Sequence, residues 1–288
     1  MNQSIFQMQA RLIRRDLRRA AQKWRYRRLN LYSLPVFFAN SFPKSGTHLL
    51  TQVLQGFTLL GPAVNSGLPA IVSYQGDSGR ALTVKEVLTG LQRLRPGDIT
   101  YGHLHALPEV VSYLSQEGFA TYFLIRDPRD VVVSHVHYVT DMASRHAHHK
   151  FYLQELQNFD QRLRTSILGR PDSEAPFPDI GARFRPYLGW LDRRDVLVLR
   201  YEELVHDREG ALARIVGFAV SRGFSLNCER ERAVDKLRGG IQPQKSPTFR
   251  RGETGGWRDH FNAEHKEIFK EVAGDLLIRL GYERDVDW

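Results

Sequence analysis

The sequence has very little cysteine and no long apolar run. Cys228 is the single cysteine among 288 residues, so no intrachain disulfide can form and nothing points to an oxidising compartment. No run of about eighteen apolar residues occurs, which argues against a membrane-spanning helix. The N-terminal segment also lacks the apolar core and small-residue cleavage site of a secretory signal. We therefore predict a cytoplasmic protein.

The remaining composition is that of a globular protein. Hydrophobic residues make up 42% of the chain, charged residues 25% and aromatic residues 11%, which excludes collagen-like, disordered and disulfide-scaffold classes. A chain of this length can bury about three quarters of its extended surface. We expect a real hydrophobic core that needs no metal to hold it together.

The positive charge is concentrated at the N-terminus. The chain carries a net charge of +9, and residues 1–30 hold nine basic residues against one acid, a balance of +8. We therefore divide the chain into a basic amphipathic N-terminal arm, 1–30, and a domain, 31–288. The arm has apolar residues at roughly helical steps, which predicts an amphipathic helix: Ile5, Met8, Leu12, Leu17, Ala20, Ala21 and Trp24. Three roles are open for it: a helix packed on the body, a dock peripheral to a membrane or for an acidic glycan, and a nucleic-acid arm. We expect no nucleic-acid partner.

Strand and helix patterns alternate along the domain. Apolar runs predict strands at 34–42, 70–74, 98–102, 120–125 and 196–199. Helical patterns lie at 48–57, 84–94, 107–116, 129–140, 151–168, 184–191, 210–222 and 263–280. This alternation predicts an α/β fold, a P-loop-like three-layer α/β/α arrangement around a central mostly parallel sheet. The polar, proline-rich stretch 169–181 is predicted to be an insertion or mobile loop.

A loop between the first strand and first domain helix has the features of a phosphate cradle. Its residues are Lys44, Ser45, Gly46, Thr47 and His48. Backbone N–H groups at a helix N-terminus attract anions, small residues allow close approach, and a lysine adds a full charge. The order differs from the nucleotide-triphosphatase loop, in which the lysine directly follows the second glycine. An ordinary turn with a helix cap is the alternative.

Two further clusters could hold an anion. Arg126 follows a buried strand and Ser134 lies about two helical turns further on, so both could reach one group at the carboxyl edge of the sheet. The alternative is that Asp127 and Asp130 simply pair with Arg126 and Arg129. Nearer the C-terminus, Arg250 and Arg251 precede Gly252 and a glycine-rich turn, which suits a cationic phosphate clamp. A plain charged turn is the alternative there.

In this order, the three elements resemble the sulfotransferase family, whose donor is 3′-phosphoadenosine 5′-phosphosulfate (PAPS). The resemblance covers residues 36 to about 283. It implies that residues 44–48 hold the 5′-phosphosulfate and that Tyr201 contacts adenine. It also implies that a 3′-phosphate site is formed by Arg126, Ser134, Arg250, Arg251 and Gly252. Leu49 stands where animal cytosolic relatives have a tryptophan that stacks on adenine.

The resemblance also implies the catalytic residues. The segment 101–108 resembles the one that carries the family's catalytic base and places His103 at that position, with His105 as the alternative. A neutral imidazole can take a proton from an acceptor hydroxyl, and Lys44 would stabilise the charge on the leaving phosphate. We expect no metal, and an acceptor that is a small molecule, a lipid or a glycan with a hydroxyl, or less readily an amine.

Two other functions compete with this prediction. One is a metal-dependent, kinase-like phosphotransferase, disfavoured by the lysine and glycine order and by the lack of a magnesium-binding pair in the sequence. The other is a non-catalytic module that docks on acidic glycan or membrane through its arm.

Overall fold

A parallel sheet forms the centre of the molecule. The computed structural model describes residues 2–246 and 252–288. Within them the strand order is β2-β4-β1-β5-β6, with β3 also paired to β4, and every pairing is parallel. The strands are β1 Val36–Ser41, β2 Val64–Asn65, β3 Ile71–Val72, β4 Asp98–His103, β5 Phe119–Ile125 and β6 Val196–Arg200. The predicted parallel sheet is confirmed.

Helices cover both faces of this sheet. In chain order they are α1 Asn2–Arg25, α2 Thr47–Gln55, α3 Val84–Leu91, α4 Pro108–Leu114, α5 Pro128–His137, α6 His149–Gln154, α7 Phe159–Leu168, α8 Ile180–Phe184, α9 Tyr201–His206, α10 Arg208–Ser221, α11 Arg230–Gly240, α12 Ala263–Ala273 and α13 Leu276–Arg279. Neighbouring residues of β1 point to opposite faces, so Phe37 and Phe38 enter two separate apolar cores. The three-layer architecture follows from this division.

Several helix bounds differ from the sequence expectation. The predicted helix at 151–168 is two helices, because the Asn158 side chain accepts a hydrogen bond from the backbone of Gln161 and starts α7 anew. The predicted helix at 263–280 breaks at Gly274, whose φ of 55° is left-handed. Helices α9 and α11 were not predicted. A π-helical turn, Tyr138–Met142, continues α5.

Helix α1 packs against the start of β4. The Asp98 carboxylate is fully buried there and accepts from the Nη1 atoms of Arg15 at 3.4 Å and of Arg19 at 3.0 Å. The backbone N–H of Arg95 donates to it at 3.0 Å. Arg15 is 2% exposed, so these ion pairs join α1 to the sheet. Of the three roles left open for the arm, these contacts agree with a helix packed on the body of the protein. The division of the chain at residue 30 stays a prediction.

The described helices include no candidate for crossing a membrane. None is both long enough and apolar enough to span a bilayer.

Candidate active site

A cavity of about 570 Å³ opens at the carboxyl end of the sheet. Its wall contains residues from the cradle loop, the end of β4, the segment after β5 and the start of α9, represented by Lys44, His103, Arg126 and Tyr201. Ligands of open α/β sheets bind at this edge because loops from several parallel strands converge there. The structure therefore brings together sequence motifs that lie far apart in the chain.

The cradle loop has the backbone shape that an anion site requires. Lys44 and Gly46 both have positive φ, 70° and 95°, and α2 begins at the next residue, Thr47. A Cβ atom at Gly46 would lie 2.4 Å from Cδ2 of Tyr201. Only glycine fits between this loop and the tyrosine ring.

Buried polar atoms without a partner among the described residues include Nε2 of His135, on the cavity wall, and one atom from each of two predicted donor-site residues. The latter two are the Ser45 hydroxyl and the Nε of Arg126. Buried polar groups in proteins are nearly always hydrogen-bonded, so both atoms fit a site whose missing partners are oxygens of a ligand. The residues present therefore suit a donor that carries two phosphates.

Lys44 is positioned by an aromatic ring. Its Nζ lies 3.9 Å from the ring centroid of Tyr138, which is the first residue of the π-helical turn after α5. A cation over a ring face is attracted by the ring's negative centre. The ammonium group is thereby held at the cavity wall beside the cradle.

The two arginines after β5 have different roles. The Arg126 side chain lines the cavity, donates from Nη2 to the carbonyl of Glu253 at 2.8 Å and lies 4.6 Å from the Tyr201 ring centroid. Arg129 is buried, pairs with Asp127 and Glu283 and lies over the ring of Trp257. Both predicted pairings occur, Arg129 with Asp127 and Arg126 with Asp130, but Arg126 also lines the cavity.

Asp130 connects this segment to the C-terminal turn. Its carboxylate accepts from the backbone N–H of Gly255 at 2.7 Å and of Trp257 at 2.9 Å, and lies 3.5 Å from Arg126. Gly252 and Ser134 also line the cavity. Arg250 and Arg251 lie outside the described residues, so their predicted contacts with the 3′-phosphate stay a prediction.

His103 lies at the end of β4, directly beside the cradle. Its Nδ1 is 3.0 Å from the carbonyl oxygen of Ser41. The Ser41 hydroxyl oxygen also lies 3.2 Å from Nδ1 and 2.7 Å from Oγ1 of Thr47. Because a carbonyl can only accept, the Ser41 carbonyl favours the tautomer with the proton on Nδ1 and a lone pair on Nε2. Burial, with a smaller contribution from nearby His48 and Lys44, lowers the pKa of His103 to about 4, although the hydrogen bond to Ser41 opposes this shift. The imidazole is therefore neutral at physiological pH.

His105 packs against two tyrosine rings. Its ring centroid is 4.8 Å from that of Tyr187 and 5.3 Å from that of Tyr74, and burial lowers its pKa to about 4. Both histidines line the cavity. His103 contacts the cradle strand and His105 packs among aromatic rings, a distinction that the sequence left open.

An aromatic wall completes the cavity and was not predicted. Phe177, from the stretch predicted to be an insertion or mobile loop, stacks on His135 at 4.7 Å and lies 5.3 Å from His148. The guanidinium of Arg183 is 4.1 Å from the same ring. The signal in the sequence was an aromatic residue between two prolines.

No group of three or more His, Cys, Asp or Glu side chains in the described ranges could hold a metal ion.

Comparison with known proteins identifies the family. The sulfotransferase domain family matches residues 35–281, which is most of the chain, and the chain belongs to this family. The enzymes of this class transfer a sulfuryl group from PAPS. The predictions of a PAPS-dependent sulfotransferase and of its fold are thus confirmed, in place of the kinase-like and docking-module alternatives.

Two curated relatives illustrate the level of sequence similarity. Sulfotransferase 2A6 of mouse is 25% identical over 191 residues, which cover 58% of this chain and 59% of that protein. The 3-alpha-hydroxysteroid sulfotransferase of guinea pig, Cavia porcellus, is 24% identical over 262 residues, 82% of either chain.

Solved structures share the fold at lower identity. The mouse sulfotransferase SULT7A1, solved with PAP, has a TM-score of 0.56 at 19% identity over 86% of this chain and 87% of that one. A retinol dehydratase solved with androsterone and PAP has a TM-score of 0.55 at 18% identity, covering 86% and 83%. The likeness shows a common architecture.

Proposed function

We propose that this enzyme sulfates a hydroxyl group of a small, largely apolar acceptor, with His103 as the general base and Lys44 stabilising the leaving phosphate. The observation that carries the proposal is the His103 imidazole, which is neutral, hydrogen-bonded to Ser41 through Nδ1 and adjacent to the cradle. A second acceptor class, the amine, uses the same geometry.

The proton leaves the acceptor through His103. As the acceptor oxygen forms its bond to sulfur, the hydroxyl proton passes to Nε2, since Nδ1 already donates to the Ser41 carbonyl. PAPS supplies the sulfuryl group, and the bond between sulfur and the phosphate oxygen breaks. Lys44 and the N-terminus of α2 then face the negative charge that develops on that oxygen.

The donor phosphates are held by two groups of residues. The cradle for the 5′ group is formed by Ser45, Gly46, Thr47 and His48. The 3′ group is assigned to Arg126, Ser134 and Gly252, with Arg250 and Arg251 by sequence. Tyr201, packed against both Gly46 and Arg126, supports the adenine.

The acceptor half of the cavity favours an apolar ring system. Tyr74, Tyr187 and Phe177 line it together with His105, and the volume of about 570 Å³ is that of a drug-sized ligand pocket. Curated relatives include hydroxysteroid sulfotransferases of guinea pig, which supports a small-molecule acceptor. Lipid and glycan acceptors and a cytoplasmic location stay predictions.

Titration calorimetry tests the donor site first. Adenosine 3′,5′-bisphosphate should bind at least tenfold more tightly than 5′-AMP or ATP, because only it presents both phosphates. Equal affinities would contradict the 3′-phosphate site. Transfer of labelled sulfuryl from PAPS to a hydroxysteroid, a simple phenol and a long-chain alcohol then ranks the acceptors. Transfer to none of them, despite tight bisphosphate binding, would contradict the acceptor class alone.

A further inference from the structure

Helix α1 exposes an apolar stripe to solvent. Phe6, Ile13, Leu17 and Trp24 are 73%, 62%, 66% and 84% exposed. At 3.6 residues per turn these four positions fall within an arc of about 40°. Leu29 and Tyr32, just after the helix, are 95% and 82% exposed. Scattered exposed apolar residues are common, but a continuous stripe marks an interaction surface.

The opposite side of α1 is already in use. Arg15 and Arg19 pair with buried Asp98, and Arg11 and Arg18 donate to the carbonyls of Gly67 and Asn65 at 3.1 Å. The basic side chains of that side hold the helix on the sheet. The apolar stripe therefore cannot turn inward without breaking buried ion pairs.

Exposed positive charge borders the stripe. Arg14 and Arg25 lie roughly 80° to 100° around the helix from it, and both are exposed. Arg28 follows the helix and is exposed as well. None of the three has a carboxylate partner in ranges 2–246 and 252–288. An apolar stripe with aromatic residues, bordered by arginine, is the pattern of helices that lie in a membrane interface.

We propose that the α1 stripe docks the enzyme reversibly on an anionic lipid bilayer. Phe6, Ile13, Leu17 and Trp24 would enter the boundary between headgroups and acyl chains, while the bordering arginines would contact lipid phosphates. A symmetric contact between two copies fits less well, because it would bring two strongly basic helices together.

The position of α1 keeps the active site clear of this surface. The helix packs at Asp98, the first residue of β4, whereas His103, the last residue, lines the cavity. A strand of this length separates the two ends by about 17 Å. Docking and sulfuryl transfer are thus separate properties, and this inference does not depend on the proposed reaction.

Vesicle sedimentation tests the docking surface on the full chain. The protein should sediment with vesicles of phosphatidylcholine mixed with phosphatidylglycerol, should stay in solution with phosphatidylcholine alone, and should be released by high salt. The double variant Ile13→Asp with Leu17→Asp should lower the bound fraction at least tenfold. Val286→Asp, a matched change at another exposed apolar residue, should bind like the wild type.

Fold and activity controls make the result decisive. The double variant should keep its helical circular dichroism and its turnover of PAPS with a soluble acceptor, since its residues are exposed and far from the cavity. Absence of vesicle binding by the wild type, or equal binding by the double variant, would overturn the proposal. A wild-type dimer that Leu17→Asp dissociates, with no vesicle binding, would show a contact between copies and overturn it as well.

Discussion

The two ends of the central sheet differ in how well their buried polar groups are paired. At the start of β4, the buried Asp98 carboxylate accepts from Arg15, Arg19 and the backbone of Arg95, although the Nε of Arg15 has no hydrogen-bond partner among the described residues. At the carboxyl end, the Ser45 hydroxyl and Arg126 Nε are buried without partners among the described residues. Buried polar groups that are hydrogen-bonded stabilise a fold, whereas buried groups without a partner lower its stability unless a ligand supplies the missing hydrogen bond. One end therefore holds the molecule together, and the other is prepared for the donor.

Removing Lys44 should have a large effect on the functional end. Lys44→Ala should lower kcat by about 10²–10³-fold, the loss typical when a group that stabilises developing charge is removed. The melting temperature should not change. Lys85→Ala, at an exposed lysine of α3, is the matched control and should leave turnover intact. Wild-type turnover by Lys44→Ala would remove it from the mechanism.

The two histidines should differ in the same assay. His103→Ala should lower kcat by about 10²–10⁴-fold, as expected for loss of a general base, while adenosine 3′,5′-bisphosphate still binds. His105→Ala should mainly raise the KM of the acceptor, because its ring packs among Tyr74 and Tyr187. Steady-state kinetics with varied acceptor separates the two, and the reverse pattern would exchange their roles.

At the structural end, Asp98→Ala should affect stability only. Breaking a buried ion pair from one side costs about 3–5 kcal/mol, because Arg15 would remain buried without its partner. Thermal unfolding should show a melting temperature several degrees lower, with turnover per folded molecule unchanged. Asp16→Ala removes an exposed carboxylate of the same helix, and its loss should cost at most about 1 kcal/mol. Equal effects of the two variants would contradict the buried-pair argument.

The stability of the protein should also depend on pH. Burial lowers the pKa values of His103, His105 and His148 to about 4, below the ordinary value of about 6.5. The unfolded chain then binds more protons between these values, so stability should be full above pH 6.5 and decline as the pH falls toward 4.

Thermal melts across that pH range measure this effect. His105→Phe, which retains an aromatic ring but cannot titrate, should flatten part of the slope. A melting temperature that does not change between pH 7 and 5 would contradict neutral burial of these rings. His103 should remain neutral, and so able to act as the base, until the pH falls to near 4, because it is protonated only below its own pKa.

Local patterns in the sequence predicted much of this arrangement. The apolar run before Pro43 and the small residues after it predicted both β1 and the cradle, because strand, turn and helix signals are local. The segment 98–102 was predicted as a strand for the same reason. Arg126, which follows a buried strand in the sequence, lines the cavity, and its contact with a 3′-phosphate stays a prediction.

Contacts between distant segments could not be predicted in this way. His103 differs from His105 in its contact with the Ser41 carbonyl. Arg129 is paired with Glu283 and packs on Trp257. Asp98, far along the chain, pairs with Arg15 and Arg19 of α1. This pairing determines which face of the helix is buried and which apolar residues stay exposed. Such partners are set by tertiary packing, for which one sequence carries no periodic signal.

The parallel pairing of β1 also has a consequence for biosynthesis. This strand, apolar over most of its length, occupies the middle of the sheet, but its neighbours are Asp98–His103 and Phe119–Ile125. At ribosomal rates of about 5–20 residues per second, roughly 4–17 s pass between synthesis of β1 and of its second partner. During that interval at least one edge of Val36–Ser41 has no partner strand on the nascent chain. Chaperone capture of nascent chains should therefore be strongest before residue 125 emerges from the ribosome.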